Sequence, residues 1–191
     1  MFMSLLQHIQ EAVSNDEKYE FFIERTNNHI RLVQEAAEKI VSAYPELGAL
    51  VFQVDSHDAS KFEDPELTPY IELTWKKKLE KEEEDYKTDD RAIHDATLHH
   101  IKNNRHHPEF HLEDKSKANL DSTNRDKSIS VVDASNMSDT DVAEMVADWQ
   151  AMSEELGTNT AREWYDKVKD VRWHFSDHQN ELIDKLLKVF E

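Results

Sequence analysis

The sequence predicts an all-α fold, and three observations carry that prediction. Only 2 of 191 residues are glycine and 4 are proline, where glycine alone usually runs near ~7%. Tight hairpins draw on glycine at positive φ, so a sheet-rich fold would lack its turns. Apolar residues recur at helical spacing along most of the chain. Helix starts are marked by capping pairs, Ser138 with Asp141 and Thr160 with Glu163.

The elements follow in order. Phe2, Leu5, Leu6, Ile9 and Val13 lie at helical spacing and predict a short amphipathic helix over 2–14. Residues 17–43 read as a long helix that ends before Tyr44-Pro45. The apolar run 47–57 reads as a buried helix carrying His57 and Asp58 near its end. Periodicity alone also allows a strand there, but scarce glycine and helical neighbours argue against it. Asp64-Pro65 reads as an N-cap followed by proline at the first helical position, which opens a helix over 65–80. The charged stretch 80–90 is a solvated connection. A helix over 89–104 stops at His106-His107-Pro108. Residues 113–136 have a loop composition, with Ile129, Val131 and Val132 as a short extended piece. Helices over 139–156, ended by Gly157, 161–173 and 177–190, capped by Ser176, complete the chain. The whole reads as a single domain, residues 1–191, with a loop insertion at 113–136.

Composition excludes several functions. Lys and Arg total 23 against 41 Asp and Glu, a formal net charge of −18. Such a chain repels nucleic-acid backbones and anionic membranes, so bulk nucleic-acid binding is not expected. The absence of cysteine rules out disulfides, thiolate zinc sites, iron–sulfur clusters and a cysteine nucleophile. Two glycines cannot build a P-loop or a dinucleotide fingerprint. The apolar runs are far short of a membrane span, and the first residues lack a basic stretch and a cleavage site. A cytoplasmic location is expected.

Candidate chemistry lies in polar residues on apolar faces. Six of the eleven histidines fall between 94 and 111. His29 sits on the stripe Phe22, Leu32, Val33, Ala36, Ile40. Asp58 is four after Val54 and seven after Val51, and so faces inward beside His57. His100 is four after Ala96 and seven after Ile93. His106 and His107 follow where that helix stops, and either could be a ligand. Asp148 lies on the buried face set by Val142, Met145, Trp149 and Met152. A buried carboxylate needs a cation or several donors. Neutral imidazole is a common metal ligand. Each residue alone has a structural reading as a core histidine, a cap or an ion pair. Together they imply a shared site for one or two divalent transition-metal ions, drawn from Mn, Fe, Co, Ni or Zn.

The order His … His-Asp … His … His … Asp resembles the HD-domain superfamily of metal-dependent phosphohydrolases. His57-Asp58 would be the signature doublet, His29 the histidine of the preceding helix and Asp148 the distal aspartate. Residues 57–61, His-Asp-Ala-Ser-Lys, resemble the His-Asp-x-x-Lys variant, in which the lysine, here Lys61, reaches substrate phosphate. His100 with His106 or His107 would be the extra ligands of the two-metal branch. More narrowly, HDASKFEDPEL, HHIKNNRHHPEF and EMVADWQAM look like blocks of a family of small uncharacterised bacterial and phage proteins. The resemblance spans roughly residues 25–152.

The resemblance implies an HD-like helical bundle around the metal site and hydrolysis of a small phosphate ester, with a nucleotide among the candidates. Two ions held ~3.5–4 Å apart can activate a bridging water, and Asp58 has two oxygens to share between them. Affinity should fall below about pH 6, because bound histidines must be neutral. Asn104 could orient a ligand histidine; Glu109 could do the same or accept a proton. An HD-type di-iron oxygenase and a non-catalytic metal-stabilised binding protein are the alternatives.

Overall fold

The computed structural model describes residues 5–118, 120–121 and 128–191, with the side chains of 5–14 outside the description. It is all-α in class. Among the described residues are seven α-helices and one two-stranded sheet. The helices are α1 (Leu5–Ala43), α2 (Leu50–Gln53), α3 (Leu67–Lys81), α4 (Asp90–Asn103), α5 (Asp139–Leu156), α6 (Ala161–Val168) and α7 (Asp177–Leu187). β1 (Val132–Asp133) pairs in parallel with β2 (Trp173–His174), Val132 opposite Trp173.

α1 is one helix where the sequence predicts two. Ser14-Asn15-Asp16 is polar, but neither glycine nor proline interrupts residues 5–43, so the backbone ladder has no reason to break. The predicted face of Phe2 to Val13 lies outside the described residues. α1 makes its most extensive contact with α5. Val33, Ala36 and Ile40 of α1 meet Val142, Met145 and Val146 of α5, and Ile183 and Leu186 of α7, in the larger core. Complete burial of a side chain such as Ile40 contributes about 1.5–3 kcal/mol. A smaller core joins Phe22 of α1 to Tyr70 and Leu73 of α3 and Ala96 of α4. On α1, His29 lies between Phe22 of one core and Val33 of the other.

The other departures are local. The predicted helix 47–57 is broken into 3-10 turns at Pro45–Leu47 and Val54–Ser56 around the four-residue α2. α3 begins at Leu67, so Pro65 precedes it and Asp64 is not its cap. Asp89 caps α4 by accepting from the N–H groups of Arg91 and Ala92. Residues 169–173 are not helical. α6 ends at Val168, Asp170 adopts φ 56°, and the chain turns into β2. α7 ends at Leu187 rather than at residue 190. The capping boxes at Ser138/Asp141 and Thr160/Glu163 are present, and Gly157 ends α5 at φ 63°. Ser176 caps α7, paired with Gln179. Within 113–136, a 3-10 turn at Lys115–Lys117 and β1 give order to what reads as loop.

Candidate metal centre

Five separate segments deliver side chains to one point. α1 supplies His29 and α5 supplies Asp148. α4 supplies His100 from its last turn. His106 and His107 come from the turn just before Pro108, where the chain cannot remain helical. His57 and Asp58 come from a chain reversal. Asp58 sits in the left-handed region at φ 59° and ψ 11°. That conformation costs most L-residues roughly 1–2 kcal/mol, less for aspartate, whose short side chain tolerates it. The reversal turns both side chains inward, leaving His57 2% and Asp58 1% exposed.

The two oxygens of Asp58 face different partners. Oδ2 lies 3.7 Å from His29 Nε2 and 3.8 Å from His57 Nε2. Asp148 Oδ1 completes that group, 3.0 Å from His29 Nε2 and 3.8 Å from His57 Nε2. Oδ1 lies 3.2 Å from His100 Nε2 and 3.8 Å from His106 Nε2. Bonds of about 2.0–2.2 Å to a transition metal place neighbouring ligand atoms roughly 3–3.5 Å apart, so these spacings suit coordination. Three overlapping sets have donor atoms within 4.8 Å of one another: His29, His57 and Asp148; His57, Asp58 and His106; His100, His106 and His107. Among the described residues, buried His57 Nε2 and His107 Nε2 have no hydrogen-bond partner. A buried polar atom without a partner is costly, and a cation in reach of its lone pair removes that cost.

Behind the donors stand three further carboxylates. Glu144 Oε1 lies 2.8 Å from His57 Nδ1 and 3.4 Å from His106 Nδ1. Glu66 Oε2 lies 2.8 Å from His100 Nδ1, and its Oε1 2.7 Å from the half-exposed His99. Glu155 Oε2 lies 3.4 Å from His29 Nδ1, and the same carboxylate pairs with Arg25. For His57 and His100, Nδ1 is hydrogen-bonded to a carboxylate and Nε2 faces the centre. A proton held on Nδ1 by that carboxylate leaves the Nε2 lone pair for a metal. The carboxylates are themselves held: Gln53 donates to Glu144 at 2.7 Å and Ser60 to Glu66 at 2.9 Å.

The electrostatics follow from this mixture. Burial would raise the pKa of Asp58, but Lys61 and the neighbouring histidines overcome it and hold the carboxyl well below its usual range. Glu144 is likewise opposed by burial yet lowered to about 2 by His106 and His57. Burial would lower His29, but hydrogen bonds to Asp148 and Glu155 raise it to about 9. Burial and the adjacent His106 lower His57, and the same two causes push His107 down further. In the metal-free protein His57 and His107 are thus neutral and ready to ligate, whereas His29 must release a proton first.

A protein-family model described as a family of unknown function matches residues 18–189. The chain belongs to the DUF5662 family. The DUF5662 match takes in every residue of the centre, but the family brings no assigned chemistry with it. No curated protein and no solved structure matches the chain.

In this DUF5662 chain all seven residues predicted as ligands converge: His29, His57, Asp58, His100, His106, His107 and Asp148. They line a cavity of about 340 Å³, apart from His57, which lies behind them. Lys61 also lines it. It sits on a 3-10 turn, Ala59–Phe62, rather than a continuing helix. Its ammonium contacts Asp58 Oδ2 and lies 5.2 Å from the centre of the Tyr70 ring. Asn104 holds the predicted orienting place, with Nδ2 3.0 Å from His100 Nδ1 and 2.8 Å from Ser60 Oγ. Glu109 is not on the cavity wall. Its fully buried carboxylate accepts from Trp173 Nε1 at 3.0 Å and meets Arg172 at 3.5 Å, so it is placed to position those two residues and not to accept a proton from a bound molecule. Glu66, Glu144 and Glu155 escape a reading of the sequence. Glu144 and Glu155 lie on the Asp148 face of α5, four residues before it and seven after, which is the signal that could have found them.

Proposed function

We propose that this chain is a metal-dependent phosphohydrolase with an HD-like centre, acting on a small phosphate ester. The observation that carries the reading is Asp58, placed with one oxygen toward each of two histidine-rich donor groups and with the Lys61 ammonium on it. The donor set fits divalent transition metals: imidazole nitrogens and carboxylate oxygens, no thiolate. His29, His57, Asp58 and Asp148 would hold one ion; Asp58, His100 and one or both of His106 and His107 a second. Bound there, such ions supply Lewis-acid charge beside a phosphate and lower the pKa of water.

The chain's own residues do the rest. Glu144 and Glu66 orient His57 and His100, and further carboxylate contacts reach His106 and His29. Lys61 lies beside two prospective cations, where its charge is unfavourable unless an anion joins them. A phosphate group meets that need, and Lys61 holds one of its oxygens. Thr26, Met145 and Trp149 wall the cavity and limit the water around a bound ester.

The test is metal analysis of protein purified without added metal, followed by turnover of a panel of small phosphate esters in air and under strict anaerobiosis. Metal-dependent release of phosphate at equal rates in both atmospheres is expected. Metal retained with no ester turned over would overturn the hydrolase reading in favour of a binding role. Turnover that stops without O₂ would replace it with the di-iron oxygenase.

A further inference from the structure

A second cation, itself buried, lines the same cavity as Lys61. Arg172 is 8% exposed and lies on the cavity wall with His100, His106 and His107. The local backbone places it there. α6 stops at Val168, and Arg172 N–H donates to Val168 carbonyl oxygen at 2.8 Å. The Arg172 carbonyl then accepts from Val132 N–H at 2.9 Å as the β1–β2 pair begins. Its guanidinium lies 4.3 Å from the centre of the Trp173 ring. Glu109 Oε1 accepts from Trp173 Nε1 and lies 3.5 Å from Arg172 Nη2. One buried carboxylate therefore fixes both the arginine and the ring beneath it.

This arrangement needs a reason. A buried ion pair is weak evidence for stability, because desolvation offsets its attraction. A chain with net charge −18 has many places to spend its arginines at the surface. Here the charge is held on the wall of the cavity that His100, His106 and His107 also line. Lys61 attends Asp58 Oδ2, beside His29 and His57. Arg172 lines the same cavity, with His100, His106 and His107. An anion bound in that cavity has both cations on its walls.

We propose that Arg172 is a phosphate-holding residue of this cavity, gripping an oxygen of the substrate's phosphate group together with Lys61, with Glu109 as its positioning residue. The assignment rests on the phosphohydrolase reading for its substrate but not for its test. A guanidinium fork can address two phosphate oxygens at once, which an ammonium cannot.

The experiment measures inorganic phosphate binding by calorimetry, on the protein as purified and after manganese loading. Arg172→Met keeps the apolar stem over Trp173 and removes the fork. Its phosphate Kd should rise about tenfold or more, with manganese content held and a lower melting temperature from the unpaired Glu109. Glu109→Gln should weaken phosphate less than Arg172→Met. A phosphate Kd within twofold of wild type in Arg172→Met overturns the assignment, as does a wild-type protein that binds no phosphate. Should Arg172→Met not fold, the Nε resonance of Arg172 in the wild type decides. It shifts on phosphate titration if the assignment holds and stays fixed if it does not. A protein that binds phosphate through Arg172 yet hydrolyses no ester supports this assignment and sinks the hydrolase reading.

Discussion

Asp58 combines two properties that rarely meet in one residue: a left-handed backbone and a carboxylate divided between two donor groups. Asparagine tolerates the same backbone, so Asp58→Asn tests the charge without straining the turn. Expected is the loss of at least one metal ion per chain, read by mass spectrometry, with the circular dichroism of the fold retained. Unchanged metal content would remove the bridging role. Glu144 is tested differently, because it touches the rings and not the prospective ions. Glu144→Gln leaves His57 and His106 with a weaker acceptor and should reduce metal affinity about 10–100-fold in competition with a chelator. At this scale the sequence was legible where a polar side chain interrupts an apolar stripe, as His29 and Asp148 do. It was silent on Glu66, which lies in the turn just before α3 and on no helical stripe. It was silent on Arg172 too, whose inward direction depends on a turn and a strand pairing far away in sequence.

Among the elements, α5 carries the most of the architecture, and its N-terminus concentrates charge. Asp141 is buried there. It completes the Ser138 capping box and accepts from Arg105 at 2.9 Å and Gln53 at 3.0 Å. Burial would raise its pKa, but Arg105 and Ser138 lower it. A carboxyl lowered on folding stabilises the protein above its unfolded pKa, near ~3.9, and that contribution fades as pH falls through the folded value. Asp141→Asn should therefore be less stable than wild type at pH 7, by on the order of 1 kcal/mol. The gap in urea midpoints should close as pH falls below about 4; a gap independent of pH would assign the loss to packing. Helices with their own signals were legible, α5 and α6 at their caps above all. The break around α2 was not, because Asp58 supplies a left-handed turn without glycine. β2 was not either: a two-residue strand exists only because Val132 and Asp133 arrive beside it, and no local pattern announces a distant partner.

For the molecule as a whole, the centre gathers side chains from α1 through α5, and the net charge of −18 opposes that gathering. Cations bound at the centre would relieve the repulsion and would bind only the assembled state. Removing metal with a chelator should lower the melting temperature, and returning it at about 100-fold over its Kd should restore about 2.7 kcal/mol of stability. No change on chelation would mean that the donors are arranged without need of an ion. The positions of His29 and Asp148 in the chain have a consequence for lifetime. An ion held by both closes a loop of roughly 120 residues, the kind of long closure that a secreted protein makes with a disulfide. This chain has no cysteine with which to make one, so a metal clasp would be its coordinate and reversible counterpart. Free-metal supply would then set how often the chain opens, and with it how quickly proteases clear it. A cell starved of the right ion would hold fewer copies of this protein, not merely idle ones.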